Sequence, residues 1–417
     1  MPAFDTPLII WTVAALATAG VILRPWRIPE YVWAMGGALL LGVFGLISPH
    51  DALAAVAKGG DVYLFLVGMM VLAELARQEG LFDWLARYAV IHARGSGQRL
   101  FDLVFLVGTL VTVFLSNDAT AVVLTPAVYA ACKAARAEPL PYLFICAFIA
   151  NAASFVLPVS NPANLVVFGS QMPPLPDWLR QFTLPSLAAI VLTYLMLRLA
   201  QRRQIRQPLV LTLEDRPLSR GARLCAAGIA VTAALLLSAS ALDLALGLPT
   251  FCAGVVTTAL IHLLQRRSPL PVLRHVAWGV LPLVAGLFVL VEAVAQTGVI
   301  ERLAHGLAAL AQDSPTQANW VAGVGVAIAS NLMNNLPTGL IAGSMGHSVD
   351  LPQQTTAALL IGVDLGPNLS ITGSLATLLW LVAIRREGEH VGAWRFLRLG
   401  LLVMPPALTG ALLALGW

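Results

Sequence analysis

The chain has 417 residues, of which 58% are hydrophobic and 11% charged, with a formal net charge of +4 and a mean hydropathy of +0.82. A soluble domain carries roughly 25% charged residues, so an ordinary water-soluble fold is excluded. The small positive balance carries no message about nucleic acid; its meaning lies in where the basic residues fall.

Apolar runs long enough to cross a bilayer as helices recur along nearly the whole chain. They predict an all-α polytopic membrane protein with about ten spans, at 6–23, 29–47, 61–77, 141–170, 183–200, 223–241, 249–265, 277–297, 355–384 and 399–416. The first run has no basic segment before it and is followed by Arg24 and Arg27, so it reads as a span and not as a cleaved leader. Two further stretches, 101–132 and 319–343, are interrupted midway by polar residues and read as re-entrant hairpins. The runs at 141–170 and 355–384 are too long and too polar at their middles for plain helices, and read as spans broken at membrane depth.

With the N-terminus outside and each hairpin returning to its own side, all of the 25 Lys and Arg residues except Lys58, Arg180 and Arg302 fall on the cytoplasmic side. Cytoplasmic loops carry such an excess. This topology places both termini outside and the 201–222 loop in the cytoplasm. It gives five spans on either side of that loop, so the second half (223–417) must thread the membrane in the opposite sense to the first (1–200). A residue-level trace supports an inverted repeat. LVGMMVLAELARQEGLFDWLA (66–86) aligns with VAGLFVLVEAVAQTGVIERLA (284–304) at an offset of 218, matching Gly68 to Gly286, Glu74 to Glu292 and Gly80 to Gly298. The same offset carries Asn117 onto Asn335 and Thr120 onto Thr338.

The chemistry-bearing residues concentrate in four interrupted segments: FLSNDATAVVLTP (114–126), NAASFVLPVSNPANLVVF (151–168), SNLMNNLPTGLI (330–341) and GVDLGPNLSITGSLATLLW (362–380). Lipid cannot satisfy exposed backbone groups, so unwound chain at this depth must be buried in protein or line a watery cavity. Helix N-termini, free carbonyls and amide side chains together make the midplane site of a transporter. Asp118 and Asp364 matter most, because a carboxylate at the bilayer centre costs a few kcal/mol and usually marks an ion or proton pathway. Glu74 and Glu292 lie near predicted helix ends, where a carboxylate reaches the interface cheaply, and are weaker coupling candidates. The four segments contain no Lys or Arg, which favours a cation or a neutral polar solute over an anion.

No HExxH, GxSxG or GxxxxGK[ST] pattern is present, so neither a zinc protease, a serine hydrolase nor an ATPase is read, and no enzyme activity, metal or cofactor is expected. Cys132, Cys146, Cys225 and Cys252 have no ligand spacing and read as packing residues.

SNLMNNLPTGL and GVDLGPNLSITGSLATLLWL closely resemble the signature of arsenite/antimonite efflux proteins of the ArsB family, in the ion transporter superfamily. The two first-half motifs resemble that family's as well. The similarity runs from about residue 60 to the C-terminus apart from the 201–222 loop. It implies paired hairpins and broken helices, export of trivalent arsenic or antimony as the neutral trihydroxide in exchange for protons, and a bacterial-type inner membrane. Some family members pair with a soluble ATPase subunit, and self-assembly is an open expectation. Carried onto this chain, Asn117, Asp118, Asn335 and Asp364 would line the site, with Ser116, Thr120, Asn151, Asn161, Asn164, Asn334, Asn368, Ser374 and Thr377 around it. Some members carry Lys where Asn368 stands. A three-thiolate cage would hold its cargo too tightly to release it, so oxygen and amide hydrogen bonds are the expected contacts. A sodium/proton antiporter, a citrate, dicarboxylate or silicic acid carrier, and a passive metalloid channel are the rival readings.

Overall fold

A computed structural model describes residues 5–210 and 217–416. In chain order, α1 (Asp5–Leu23), α2 (Glu30–Val43), α3 (Pro49–Lys58), α4 (Gly60–Gln78) and α5 (Leu81–His92) lead to a first hairpin. Its outgoing arm is α6 (Gly97–Phe114). Its return arm joins α7 (Asn117–Ala119), a π turn over Thr120–Leu124 and α8 (Thr125–Ala134). The first broken helix consists of α9 (Leu140–Ala152) and α10 (Pro162–Phe168), and is followed by α11 (Leu175–Ala200).

A second run repeats this order with α12 (Arg220–Ala241), α13 (Gly247–Gln265), α14 (Leu270–His275), α15 (Val280–Gln296) and α16 (Val299–Asp313). The hairpin of α17 (Pro315–Met333) and α18 (Asn335–Ser348) comes next. The broken helix of α19 (Gln353–Leu365) and α20 (Leu375–Arg386), and finally α21 (Ala393–Leu415), complete it.

The described residues are all-helical apart from an isolated bridge between Ser96 and Pro208. Among the described residues, six helices are long and apolar enough to cross a membrane unaided, or eight if the bent pairs α3/α4 (47°) and α15/α16 (72°) each count as one span. The chain is therefore an integral membrane protein, although its spans are less uniform than the sequence predicts. The span expected at 29–47 is the 14-residue helix α2. Those expected at 183–200 and 399–416 begin earlier, at Leu175 and Ala393. The segments 81–92 and 299–313 are amphipathic helices, α5 and α16, that the predicted spans do not include. In α16 the buried residues Ile300, Ala304, Leu307 and Ala311 form one narrow stripe, too sparse to raise the hydropathy of the segment.

Both predicted breaks occur, at 153–161 and 366–374, between helices whose residues are almost all buried. The 201–222 loop is partly fixed: Leu209 N–H donates to Gly95 O (2.9 Å) and Val210 N–H to Ala135 O (3.1 Å). Its residues 211–216, including Arg216, lie outside the described residues.

Equivalent elements of the two runs pack in equivalent ways. α4 packs on α13 as α15 packs on α2, and α11 packs on α21. Gly68 and Gly286 make the first two contacts possible. A Cβ on Gly68 would lie 2.8 Å from Phe251 N of α13, and one on Gly286 2.7 Å from the Ala34 carbonyl carbon of α2. Gly80 and Gly298, at φ +75° and +74°, make the turns into α5 and α16 in the left-handed region that glycine reaches without strain.

Gly68→Val or Gly286→Val should therefore wedge these helix pairs apart and destabilise the protein by about 1–3 kcal/mol. Gly306→Ala, where nothing lies within 4 Å, should be neutral or slightly stabilising. Thermal unfolding of the purified protein in detergent, followed by size-exclusion profile, checks both.

Candidate functional site

Each motif contains the start of a helix, and a Ser or Asn within the motif caps it. Ser116 Oγ accepts from Ala119 N–H (3.1 Å). Asn161 Oδ1 accepts from Ala163 N–H (3.0 Å), and Asn334 Oδ1 from Leu336 N–H (3.3 Å). Ser374 Oγ accepts from Thr377 N–H (3.0 Å). These residue types are strong N-caps because they satisfy amides that have no partner within the helix. The four capped ends contribute residues to the centre of the molecule, where the partial positive charge of helix N-termini favours electron-rich oxygens.

The unwound carbonyls are taken up by side chains. Asn164 Nδ2 donates to the carbonyls of Ser154 (2.9 Å), Leu157 (3.2 Å) and Pro158 (3.2 Å). Trp178 Nε1 donates to those of Phe155 and Val156, both at 3.3 Å. In the second break, Asn331 Nδ2 donates to Gly366 O (2.8 Å), Asn334 Nδ2 to Thr372 O (3.1 Å), and Asn335 N–H to Gly373 O (2.8 Å). Carbonyls that the sequence offers as solute ligands are thus spent on holding the breaks in shape.

Two buried links tie one broken helix to the other. Asn161 Nδ2 donates to Asp364 Oδ1 at 2.8 Å. Asn151 Nδ2 donates to Asn368 Oδ1 (3.0 Å) and Thr377 Oγ1 (3.3 Å). Asn368 Nδ2 continues to Phe148 O (3.0 Å), and Thr377 shares a 2.9 Å hydrogen bond with Ser374. Asn151 and Asp364 stand 213 residues apart, as do the caps Asn161 and Ser374; Asn161 bonds the mate of Asn151 directly, whereas Asn151 reaches Ser374 only through Thr377.

Between these links and the hairpin tips lies a cavity lined by Asn117, Asp118, Asn161, Asn335, Leu66 and Val284, among others. Its free room of about 20 Å³ is little more than one water requires. Leu66 and Val284, Asn117 and Asn335, and Asp118 and Leu336 each differ by the same 218 residues, so the wall is built of repeat mates. Among the described residues it carries no Lys or Arg. Asn335 Oδ1 and Asp364 Oδ2 are buried without a partner among the described residues.

Of the residues expected at the site, Asn117, Asp118, Asn161 and Asn335 reach the cavity wall. Asp364 stands directly behind Asn161, while Asn151, Asn368, Ser374 and Thr377 form the supporting network. Ser116 and Asn334 cap, and Asn164 braces the first break. Thr120 is fully buried and bonds to Thr112 Oγ1 at 2.8 Å, within the hairpin.

Glu74 is clamped by Arg77 (2.6 and 2.7 Å) and Gln78 (2.7 Å), and Glu292 pairs with Lys58 at 2.7 Å. Both acids are neutralised in place and stand apart from the central cavity. Leu66, Val280 and Val284 were not expected there. They are apolar residues inside apolar spans, and only the repeat offset relating Leu66 to Val284 distinguishes them. Cys132, Cys146 and Cys225 are buried and Cys252 is exposed.

This arrangement defines a polytopic helical membrane transporter. The solved structure of the YdaH transporter of Alcanivorax borkumensis shares the fold, with a TM-score of 0.58 and 17% identity over 88% of this chain and 86% of that one. So does that of Neisseria gonorrhoeae MtrF, from a class of antimetabolite efflux pumps, with a TM-score of 0.54 and 13% identity over 88% and 82%. The chain belongs to the citrate transporter family CitMHS, whose profile matches residues 8–362. It is 28% identical over 396 residues to the arsenical pump membrane protein of Escherichia coli (strain K12), covering 91% of each chain. It is 29% identical over 363 residues to that of Yersinia enterocolitica, covering 84% of each. These relatives agree with the resemblance read from the motifs, although the family profile carries the name of a different substrate.

Asn161→Ala should strip Asp364 of its partner and α10 of its cap, destabilising the protein by about 1–3 kcal/mol. Asp364→Asn, which keeps a hydrogen-bonding group of the same shape, should cost less. Equal melting temperatures for Asn161→Ala and the unsubstituted protein would show that this link does not hold the two breaks together.

Proposed function

We propose that the protein exports trivalent arsenic or antimony, as the neutral trihydroxide, in exchange for protons. The observation that carries this reading is the small amide-lined pocket formed by Asn117 and Asn335 of the two hairpin tips with Asp118 and with Asn161 of the Asn161–Asp364 pair, its wall free of Lys and Arg among the described residues. Its support from relatives is the similarity to arsenical pump membrane proteins. The hydroxides of the solute donate to amide Oδ1 atoms and accept from amide Nδ2 atoms. Asp118 faces the solute and takes or gives a proton, and Asp364 does so behind Asn161. Hydrogen bonds of this number and kind hold a small polar solute and still let it leave.

The pocket is too small for the solute as it stands, so passage requires the helices around it to part. The reading takes this as alternating access, with the hairpins and broken helices moving against the remaining helices. It places the two halves in opposite senses through a bacterial-type inner membrane, with both termini outside and 201–222 in the cytoplasm. A neutral solute leaving against an entering proton makes the cycle electrogenic, driven inward by about 2.3 kcal/mol per charge per 100 mV. A soluble ATPase subunit or self-assembly is compatible with this cycle, which requires neither. The protein itself carries out transport and no covalent chemistry.

The family name raises citrate as the competing cargo. A pocket wall with one carboxylate and no Lys or Arg among the described residues opposes a multiply charged anion, and so disfavours it.

In proteoliposomes with an imposed pH gradient, arsenite flux should follow the gradient. Asp118→Asn and Asp364→Asn should each lower it at least about tenfold, a change of 1.4 kcal/mol in the barrier. Gradient-independent arsenite flux that survives Asp364→Asn at full rate would overturn the coupling. Citrate uptake in its place would overturn the choice of solute.

A further inference from the structure

A second cavity, with about 100 Å³ of free room, lies between α4 and the return arm of the first hairpin. It shares Leu66, Asp118, Pro162 and Val280 with the central pocket, so the two spaces adjoin at Asp118. Its α4 wall is Leu66, Met69, Met70, Ala73 and Glu74. That spacing of three and four residues is a single stripe down one face of a helix. Its hairpin wall includes Ser116, Ala119, Val122 and Val123, and the π turn leaves Val122 exposed there. Its far end is the clamped Glu74 and His275 of α14.

The other end of α4 behaves differently. Asp61 lines a separate bowl with Leu165, Ser240 and Asp243, and this bowl shares no lining residue with the central pocket. Leu66 of α4 and Leu165 of α10, each 3% exposed, lie between the two spaces, and α4 and α10 pack together. The repeat mates of Met69, Ala73, Ala119 and Val123 are Leu287, Val291, Pro337 and Ile341. They line an apolar cavity beside α1 that likewise shares no residue with the central pocket. Of these three spaces, only the one beside α4 and the first hairpin adjoins the central pocket.

We infer that the space between α4 and the first hairpin is the passage by which solute reaches Asp118 from the Glu74 and His275 end, and that the carrier shuts it by bringing the Val122 face onto the Met70–Ala73 stripe. The passage walls are thioether and aliphatic between the central pocket and the clamped Glu74. Such a neck penalises any solute that must shed a hydration shell around a net charge, so it selects small uncharged polar molecules before they meet the amide pocket. This rests on the transport reading above and on the expected topology, in which Arg274, next to His275, belongs to the cytoplasmic side.

The test replaces exposed Cys252 with Ser and introduces Met70→Cys, or Val122→Cys on the opposite wall, in the full chain. A membrane-impermeant thiol reagent is applied to everted and to right-side-out vesicles. Labelling should be roughly tenfold or more faster from the cytoplasmic face, the ratio expected when the opposite state is a minor population. Oxidation of an Ala73→Cys, Val122→Cys pair should form a disulfide that stops flux, and a reductant should restore it. Equal labelling from both faces, labelling only from outside, or undiminished flux through the cross-linked protein would overturn the inference. The labelling arm needs no transported solute, so a wrong choice of cargo would fail in the flux assay while leaving one-sided labelling intact.

Discussion

The fold turns on one constraint: chain unwound inside a membrane protein must find a partner for every backbone polar group without help from water. Two nine-residue interruptions, 153–161 and 366–374, expose a row of carbonyls at the most buried level of the molecule. Amide side chains and indole N–H groups meet them, from Asn164, Trp178, Asn331 and Asn334. The density of asparagine in these motifs follows from that demand before any solute is considered. Each asparagine carries two donors and two acceptor sites in a short side chain, so it can brace a carbonyl from one end and present the other elsewhere.

The same constraint separates the residues that hold the site from those that can meet a cargo. Asn164 faces backbone on three sides, and Thr120 and Thr112 satisfy each other. Asn117 and Asn335 stand on the wall of the cavity, and Asn335 retains an unpartnered oxygen. Asp364 is held by one oxygen and leaves the other unpaired in a fully enclosed place. Structure alone would fill such a site with a neutral amide, as at the equivalent position Asn151. A carboxylate stands there at an electrostatic cost, and that cost is what motivates the proposed proton exchange at this position.

Much of this was legible in the sequence, because the four motifs interrupt apolar runs where only helix ends, caps and turns accommodate Ser, Asn, Pro and Gly. The match of Gly68 to Gly286 was visible as a repeat, and the contacts of α4 with α13 and α15 with α2 supply its physical reason. What the sequence left hidden has equally specific causes. An asparagine code does not reveal whether its amide points to a carbonyl or to a cavity, so Asn164 and Asn117 read alike. Leu66 and Val280 are apolar residues in apolar helices, and no local pattern marks them as pocket wall. The amphipathic helices α5 and α16 were concealed because a stripe such as Ile300, Ala304, Leu307 and Ala311 is diluted by charge on the other faces.

Two runs of elements with matched boundaries would, in identical packing, produce identical passages at both ends of α4 and α15. They do not: the cavity between α4 and the first hairpin shares Leu66, Asp118, Pro162 and Val280 with the central pocket, whereas the larger cavity between α15 and the second hairpin shares no lining residue with it. The difference lies in how the runs are packed and not in which elements they contain. Exchanging the two packings would close the passage beside α4 and open its counterpart beside α15, leaving the shared wall of Asn117 and Asn335 nearly unchanged. The proposed alternating cycle needs two states of comparable energy, and an exchange of packings between paired elements is a way such a chain would reach the second. Among the mates that differ are the two buried acids, Asp118 opposite Leu336 and Asp364 opposite Asn151, the two groups to which the proposed function assigns the proton.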